Sequence, residues 1–472
     1  DWIGPIQTTG QNGEIGYQPF DTLEGSIQLV SGGYAEISEI SLLQPGRSHR
    51  VKGWLALDGS SSQLQVTSRN IRAENILPWL PSGVFISGNV DNDLMITGSL
   101  YNPIAAGQVR LSDGSVGTAQ DSTILLDRLN WSYQRNNGVW ALSDIQVSNW
   151  NMNFSAQGTV EENGHYEIRI FDGQMPLERA LWRWPYPATG QTYFSGNLSG
   201  QGTDFSFVGE ANGPALKMND QDIQDFRARV EIRDRSILVP EVSFRQGNGA
   251  FSFAGVLDGN QRSIKGDLDV KNVQLATALP LADLKIPDLD GILNGTIHIE
   301  GKSPHVGIQI EGAVTQGTFR RQKFDNVILD VAMQDRNWTI NTLEARIGDE
   351  GVFIVRGGLS PEGILDVEVA ARDVDASIVP DLAFQDFPLS GPLQLAAQIT
   401  GPINNPEAAM SIEIQPGSLG GTPFDNFHSL VLLKDHQILI EQMSINKGEY
   451  QLSAYGRIPL SAIEKAPDGR SE

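Results

Sequence analysis

The stretch GTIHIEGKSPHVGIQIEGAV, Gly295–Val314, decides how the whole chain reads. Ile297 and Ile299 fall on one side of an extended chain, and Thr296, His298 and Glu300 on the other. Strict alternation of this kind belongs to a half-buried β-strand, because successive side chains point to opposite faces. Gly301 and Pro304 break the strand, and a second alternating run sets Ile308 and Ile310 against Gln309 and Glu311. Outward from there the pattern continues. Val327, Leu329 and Val331 oppose Asn326 and Asp330, and Trp338 and Ile340 carry it on. Leu365, Val367 and Val369 oppose Asp366 and Glu368. Half-buried strands in meander order imply an antiparallel sheet, with roughly seven strands per repeat.

The pattern does repeat. An Asn or Asp follows a strand-like run at Asn70, Asp172, Asn272 and Asp373, in steps of 102, 100 and 101 residues. A glycine that breaks a strand recurs at Gly98, Gly200, Gly301 and Gly401, and another closes a strand at Gly53, Gly158, Gly255, Gly357 and Gly456. A fixed period is the signature of a repeat architecture. A short helical stretch is expected after each Asn or Asp, which would cap it by accepting free amide hydrogens. Leu177, Ala180, Leu181 and Trp184 stand at i, i+3, i+4 and i+7, an apolar stripe. Trp182 and Trp184 are expected to pack in that helix. Pro81, Pro187, Pro280 and Pro380 mark the far ends, where a helix must stop. The repeats are read as a partial first repeat at 1–84, full repeats at 85–190, 191–290 and 291–391, and a truncated last repeat with a polar tail at 392–472.

Composition sets the class. The 472 residues are 40% hydrophobic and 19% charged, so the chain folds. Fifty glycines and 24 prolines suit many short strands joined by turns. No cysteine is present. The net charge of −23 provides no positive footprint for nucleic acid or for an anionic membrane surface. No apolar run reaches the roughly 20 residues a membrane helix needs, and no signal peptide is evident. The chain opens at Asp1 in mid-strand style and closes on a polar tail, Lys465–Glu472, so both ends read as cut from a longer protein.

Repeats follow one another without a Pro/Ser/Thr-rich or charged linker, and a lone repeat would leave two unpaired sheet edges, which folded proteins avoid. The expected fold is all-β with short helices: an elongated repeat architecture in which one long sheet curls into a half-open trough with an apolar interior. At ~4.8 Å per strand, about 30 strands would give a trough on the order of 140 Å. An exposed apolar surface of that extent is tolerated only if filled. Acyl chains are the natural filling, since burial removes a cost of about 0.8 kcal/mol per CH₂ in water. The candidate lipid-contacting residues are Phe205, Phe207, Phe251, Phe253, Ile297, Ile299, Ile308, Ile310, Val327, Leu329, Val331, Ile340, Leu365, Val367, Val369, Leu393, Leu395, Ile412 and Ile414. The competing architecture is a row of immunoglobulin-like sandwiches, an adhesin or scaffold with no lipid role. A recurring capped helix, and the lack of that fold's tryptophan and tyrosine corner in register, count against it.

No catalytic arrangement emerges, so no enzyme, cofactor or metal is expected. The six histidines are scattered, and His298 and His305 read as part of a polar outer face. GSLGG at Gly417–Gly421 is not a nucleophile elbow, which needs serine at its centre. Asp91 with Asp93, and Asp288 with Asp290, lack the calcium-loop pattern and read as turn residues.

Three stretches share one texture: GSLYNPIAAGQVRLSDGSVG from Gly98, GKSPHVGIQIEGAV from Gly301 and GPINNPEAAMSIEIQPGSLGGTPFDNF from Gly401. Each is a glycine, a short break, an alternating strand and a glycine turn; the last ends in a Phe-Asp-Asn entry to the next strand. This resembles the AsmA-like proteins of diderm bacterial envelopes, most of all the TamB type of the translocation and assembly module. The second repeat departs from the pattern at GQGTDFSF. The resemblance implies a β-taco fold in the periplasm, tethered to the inner membrane by a segment absent from this sequence. It further implies transport of phospholipid between inner and outer membranes, or help in assembling outer-membrane barrel proteins, with a barrel protein as a partner.

Overall fold

The computed structural model describes residues 4–15, 18–74, 85–117, 123–149, 152–180, 187–202, 204–282, 286–319, 322–379 and 388–459. Nearly all of them lie in strands, 28 of which form one antiparallel sheet. Three short strands, Leu389–Ser390, Gly417–Leu419 and Thr422–Phe424, make a second. The chain divides into two units, residues 1–216 with 227–237, and residues 217–226 with 238–472. In the first unit each strand pairs with the next in the chain, from Gly4–Ile15 to Ala188–Gln201. In the second the same order runs from Gly249–Asp258 to Tyr450–Pro459, passing over the three short strands.

A full repeat holds six strands, fewer than the alternation suggested. Phe85–Gly98 to His165–Pro176 is one such set, and Leu289–Lys302 to Ile364–Asp375 is another. The strands run from 9 to 15 residues in these sets, longer than the usual ~5–6, so fewer fit. An even number of antiparallel strands brings the chain back to the side it left. Within each unit, the segment that closes a repeat therefore emerges from the same ends of the strands. The repeat borders expected at 190/191 and 290/291 fall inside the strands Ala188–Gln201 and Leu289–Lys302.

The recurring Asn or Asp is not a helix cap. Asn70, Asp172, Asn272 and Asp373 sit inside strands with φ of 53°, 53°, 55° and 55°. At each, the register with the following strand shifts by one residue, between Ser68 and Ile71, Ile170 and Gly173, Val270 and Val273, and Ala371 and Val374. These are β-bulges with the extra residue in the left-handed region, where Asn and Asp are the best tolerated side chains after glycine. Neighbouring strands hold the bulge. The Asn70 amide donates to Asp91 Oδ1 at 2.7 Å, and its Nδ2 to the Gly46 carbonyl at 2.9 Å. Asn272 repeats both bonds, to Asn294 Oδ1 at 2.8 Å and to the Asn248 carbonyl at 3.4 Å. Asp91 is thus a bulge acceptor, not a simple turn residue. We expect Asn272→Ala to cost about 1–2 kcal/mol, the left-handed penalty for a side chain with a Cβ and no local hydrogen bond, and Asn272→Gly to cost a few tenths at most. Urea denaturation of the two variants measures the difference.

Helices exist where the repeats close, but they are short: Leu177–Ala180, and Leu275–Ala278 followed by the 3₁₀ turn Leu279–Ala282, which contains Pro280. The N-cap of the second is Gln274, with no side-chain cap bond. Asp290, on the next strand, accepts the Ala276 amide instead, at 3.4 Å, along with those of Gly291 and Gln274 Nε2. Pro187 stands just before the strand Ala188–Gln201. Pro81, Pro380, Leu181, Trp182, Trp184 and the polar tail lie outside the described residues.

Gly53, Gly158, Gly255 and Gly357 lie within strands and do not close them. A Cβ on Gly53 would stand 2.0 Å from the Gln63 carbonyl oxygen, and on Gly158 2.1 Å from that of Glu167. They mark where two backbones approach too closely for any side chain.

Candidate functional site

Residues directly opposite each other on antiparallel strands point to the same face. In the second unit the registers therefore align the apolar positions into rows. One row runs Phe253, Leu268, Ile297, Ile310, Val331 and Ile340. It continues through Gly357, Val367, Ile399, Ala408, Leu433 and Ile438 to Ile458. Beside it stand Ile299 and Ile308 on one side, and Leu329 and Val369 on the other. Leu365 shares the face as well. These candidates are half-buried, although they form an almost unbroken apolar band.

The same face carries a second band that is covered. Ala278 and Leu281 of the helical segment pack against Phe251, Val270 and Val273, with Phe244 stacked on Phe251 at 4.5 Å between ring centroids. Ala376 and Ile378, in the turn after Asp373, join Val374, Leu393, Ile414 and Phe424 in another cluster. The bulge makes this possible. It keeps Ala371 and Val374 on one face despite their odd spacing, and leads the chain directly onto that face. Side-chain amides clasp the helical segment: Asn219 Nδ2 donates to the Pro280 carbonyl, and Gln246 Nε2 to that of Thr277, at 2.5 and 2.7 Å.

This divides the expected lining residues. Leu393 and Ile414 are 0% exposed and Phe251 8%, so they are core residues with no surface for a ligand. Val327 pairs with Val314, which is 7% exposed, and with Ala345, at 2%. Leu395 and Ile412 pack against the second cluster. The alternation placed all of them on the correct face, but it carries no information about what lies above that face. Phe207, in the strand Asp204–Met218, lies over Gly196 and Gly209, and Phe205 on the same strand is 46% exposed. We expect Leu393→Ala to cost about 2–5 kcal/mol, the range for a leucine deleted from a closed core, read as a lowered urea midpoint.

Several members of the row were missed, among them Leu268, where the row meets the covered cluster, and Ile399, Leu433 and Ile438. The signal was present in DLDV, LAAQIT and LVLLK. In the last of these Leu430 and Leu432 alternate with Val431 and Leu433, so both faces are apolar and the alternation is hidden. On the opposite face these leucines, with Ile354, Ala370 and Ala396, line a cavity of about 550 Å³ edged by Arg356, Glu368 and Glu441. Elsewhere that face carries polar rows. Asp269, Thr296, Glu311 and Asp330 form one row on it. His298 Nδ1 is 2.7 Å from Asp267 Oδ1, a bond that raises the histidine's pKa, and His305 Nδ1 is 2.6 Å from Asp335 Oδ1.

The first unit repeats the two-band design. Ile71, Ala73, Val90, Leu111 and Val147 form its covered core, and Val51, Val66 and Leu94 lie in a half-buried row beside it. Comparison of the chain with models of known protein families, with characterised proteins and with solved structures gives no match.

Proposed function

We propose that the open band shields acyl chains, and that the chain is the periplasmic segment of an envelope protein that moves phospholipid between the inner and outer membranes of a diderm bacterium. The observation that carries this reading is the row from Phe253 to Ile458, in register on successive strands of the second unit and, Ala408 apart, left partly exposed by the segments that cover the band beside it. At ~4.8 Å per strand the row is on the order of 60 Å long, about twice the ~30 Å hydrocarbon core of a bilayer. A lipid tail laid along it stays out of water, each CH₂ gaining about 0.8 kcal/mol. Transport of this kind needs no catalytic group and no cofactor. The resemblance in the sequence adds the inner-membrane tether, the two membranes as partners, and an outer-membrane barrel protein as a further one. Assistance to barrel-protein assembly would use the same apolar band for unfolded strands.

Native mass spectrometry of protein purified without detergent tests the reading. Bound phospholipid is the expected result, and a lipid-free protein after incubation with phospholipid vesicles would overturn it. A row of independent sandwiches predicts instead that one excised repeat unfolds with its own cooperative transition.

A further inference from the structure

The apolar face of the first unit carries a run of polar groups in register. Leu42, His49, Ser68, Asn92 and Val109 are successive members of one cross-strand row. His49 Nδ1 lies 2.9 Å from Ser68 Oγ, and Ser68 is 4% exposed. The hydroxyl end of Tyr133 lies over Gly107 and donates to Asn92 Oδ1 at 3.2 Å. When the serine hydroxyl donates to Nδ1, the second ring nitrogen of His49 carries the proton and is left to donate elsewhere. The two amide hydrogens of Asn92 Nδ2 have no partner among the described residues.

Arg47 is two residues before His49 and so on the same face. The two side chains stand at the mouth of a shallow recess of about 10 Å³, room for one water, which Leu42, Gln44, Ile71 and Arg72 also line. Among the described residues Arg47 has no hydrogen-bond or ion-pair partner. The ion pairs of this region, Lys52–Glu39 and Arg69–Asp93, alternate onto the opposite face. In a chain with 57 acidic residues against 34 basic ones, an arginine left unpaired beside buried polar groups on an apolar face calls for an anionic partner.

We propose that Arg47, His49 and Asn92 bind the head of an anionic phosphoglyceride. The phosphate lies over the mouth of that recess, against the Arg47 guanidinium and the His49 ring, an ester carbonyl accepts from Asn92 Nδ2, and the tails run along the row of Val51, Val66 and Leu94. Two strand spacings separate His49 from Asn92, about 10 Å, which suits a phosphate and a glycerol ester. This rests on the acyl-shielding reading above, and it adds a preference for head chemistry that the apolar band alone would not have.

Isothermal titration of the whole chain with three water-soluble probes tests it: dihexanoyl phosphatidate, dihexanoylglycerol and inorganic phosphate. The expected result is at least about tenfold tighter binding of the phosphatidate than of the diacylglycerol, the scale of one charge-assisted hydrogen bond. Arg47→Gln should remove that preference and leave diacylglycerol binding unchanged, and Asn92→Leu should weaken both ester-bearing probes. Equal affinity for the two lipids, or a preference that survives Arg47→Gln, would overturn the head site and leave the acyl-shielding reading standing. Phosphate binding that needs Arg47, with neither lipid bound, would overturn acyl shielding and show a site for free phosphate. Binding of no probe overturns both.

Discussion

Gly357→Ala will destabilise the second unit by at least about 3 kcal/mol, and Gly456→Ala will be close to neutral, although the two glycines hold the same place in the repeat. Gly357 has φ of 126°, a conformation that costs a residue with a Cβ about 1–3 kcal/mol. Its added Cβ would also stand 2.0 Å from the Asp366 carbonyl oxygen and 2.7 Å from the Val367 Cα. Both are backbone atoms of the paired strand Ile364–Asp375, so the clash is relieved only by parting the ladder. Gly456 is on Tyr450–Pro459, where nothing lies within 4 Å of the added Cβ. Denaturation curves of the two variants, followed by circular dichroism, measure the contrast. Equal midpoints would mean that the close approach of the two strands at Gly357 has been misplaced.

Replacing Ile297 and Ile310 together by aspartate will cut the phospholipid bound per protein by at least about tenfold while the fold persists. The two are directly opposite each other in the open row and half-buried, so each carboxylate keeps access to water in the empty protein. A lipid tail laid over them would strip that water. Desolvation of even one partly solvated charge costs several kcal/mol, more than the few CH₂ contacts the two isoleucines supply. The control is Ile328→Asp, on the same sheet but on the opposite face and 42% exposed, which should load normally. Lipid extraction with phosphorus quantitation reads the result. If the double variant folds and still loads, the open band is not where the lipid lies.

The alternation in GTIHIEG and VGIQIEG was enough to find the strands, their antiparallel order and their apolar face, because side-chain direction in a strand is a local property of period two. It placed Ile297, Ile310, Val331, Ile340 and Val367 in what proves to be one row, without any knowledge of the pairing. Asn70, Asp172, Asn272 and Asp373 were visible as a period and misread as helix caps. Asn and Asp favour both helix N-caps and left-handed bulges, for the same reason: a short polar side chain that bonds nearby backbone. The partners that separate the two cases, Asp91 for Asn70 and Asn294 for Asn272, lie about twenty residues further on.

The sequence alone therefore determined the repeat, the all-β class and the in/out assignment of most strand residues. Only the tertiary structure decided that a full repeat holds six strands, that a bulge carries Val273 and Val374 to the apolar face, and that Ala278 and Ile378 then cover part of it. Alternation is written into each strand separately. Coverage depends on which segments meet over the face, and the pairing of strands across the sheet brings those segments there.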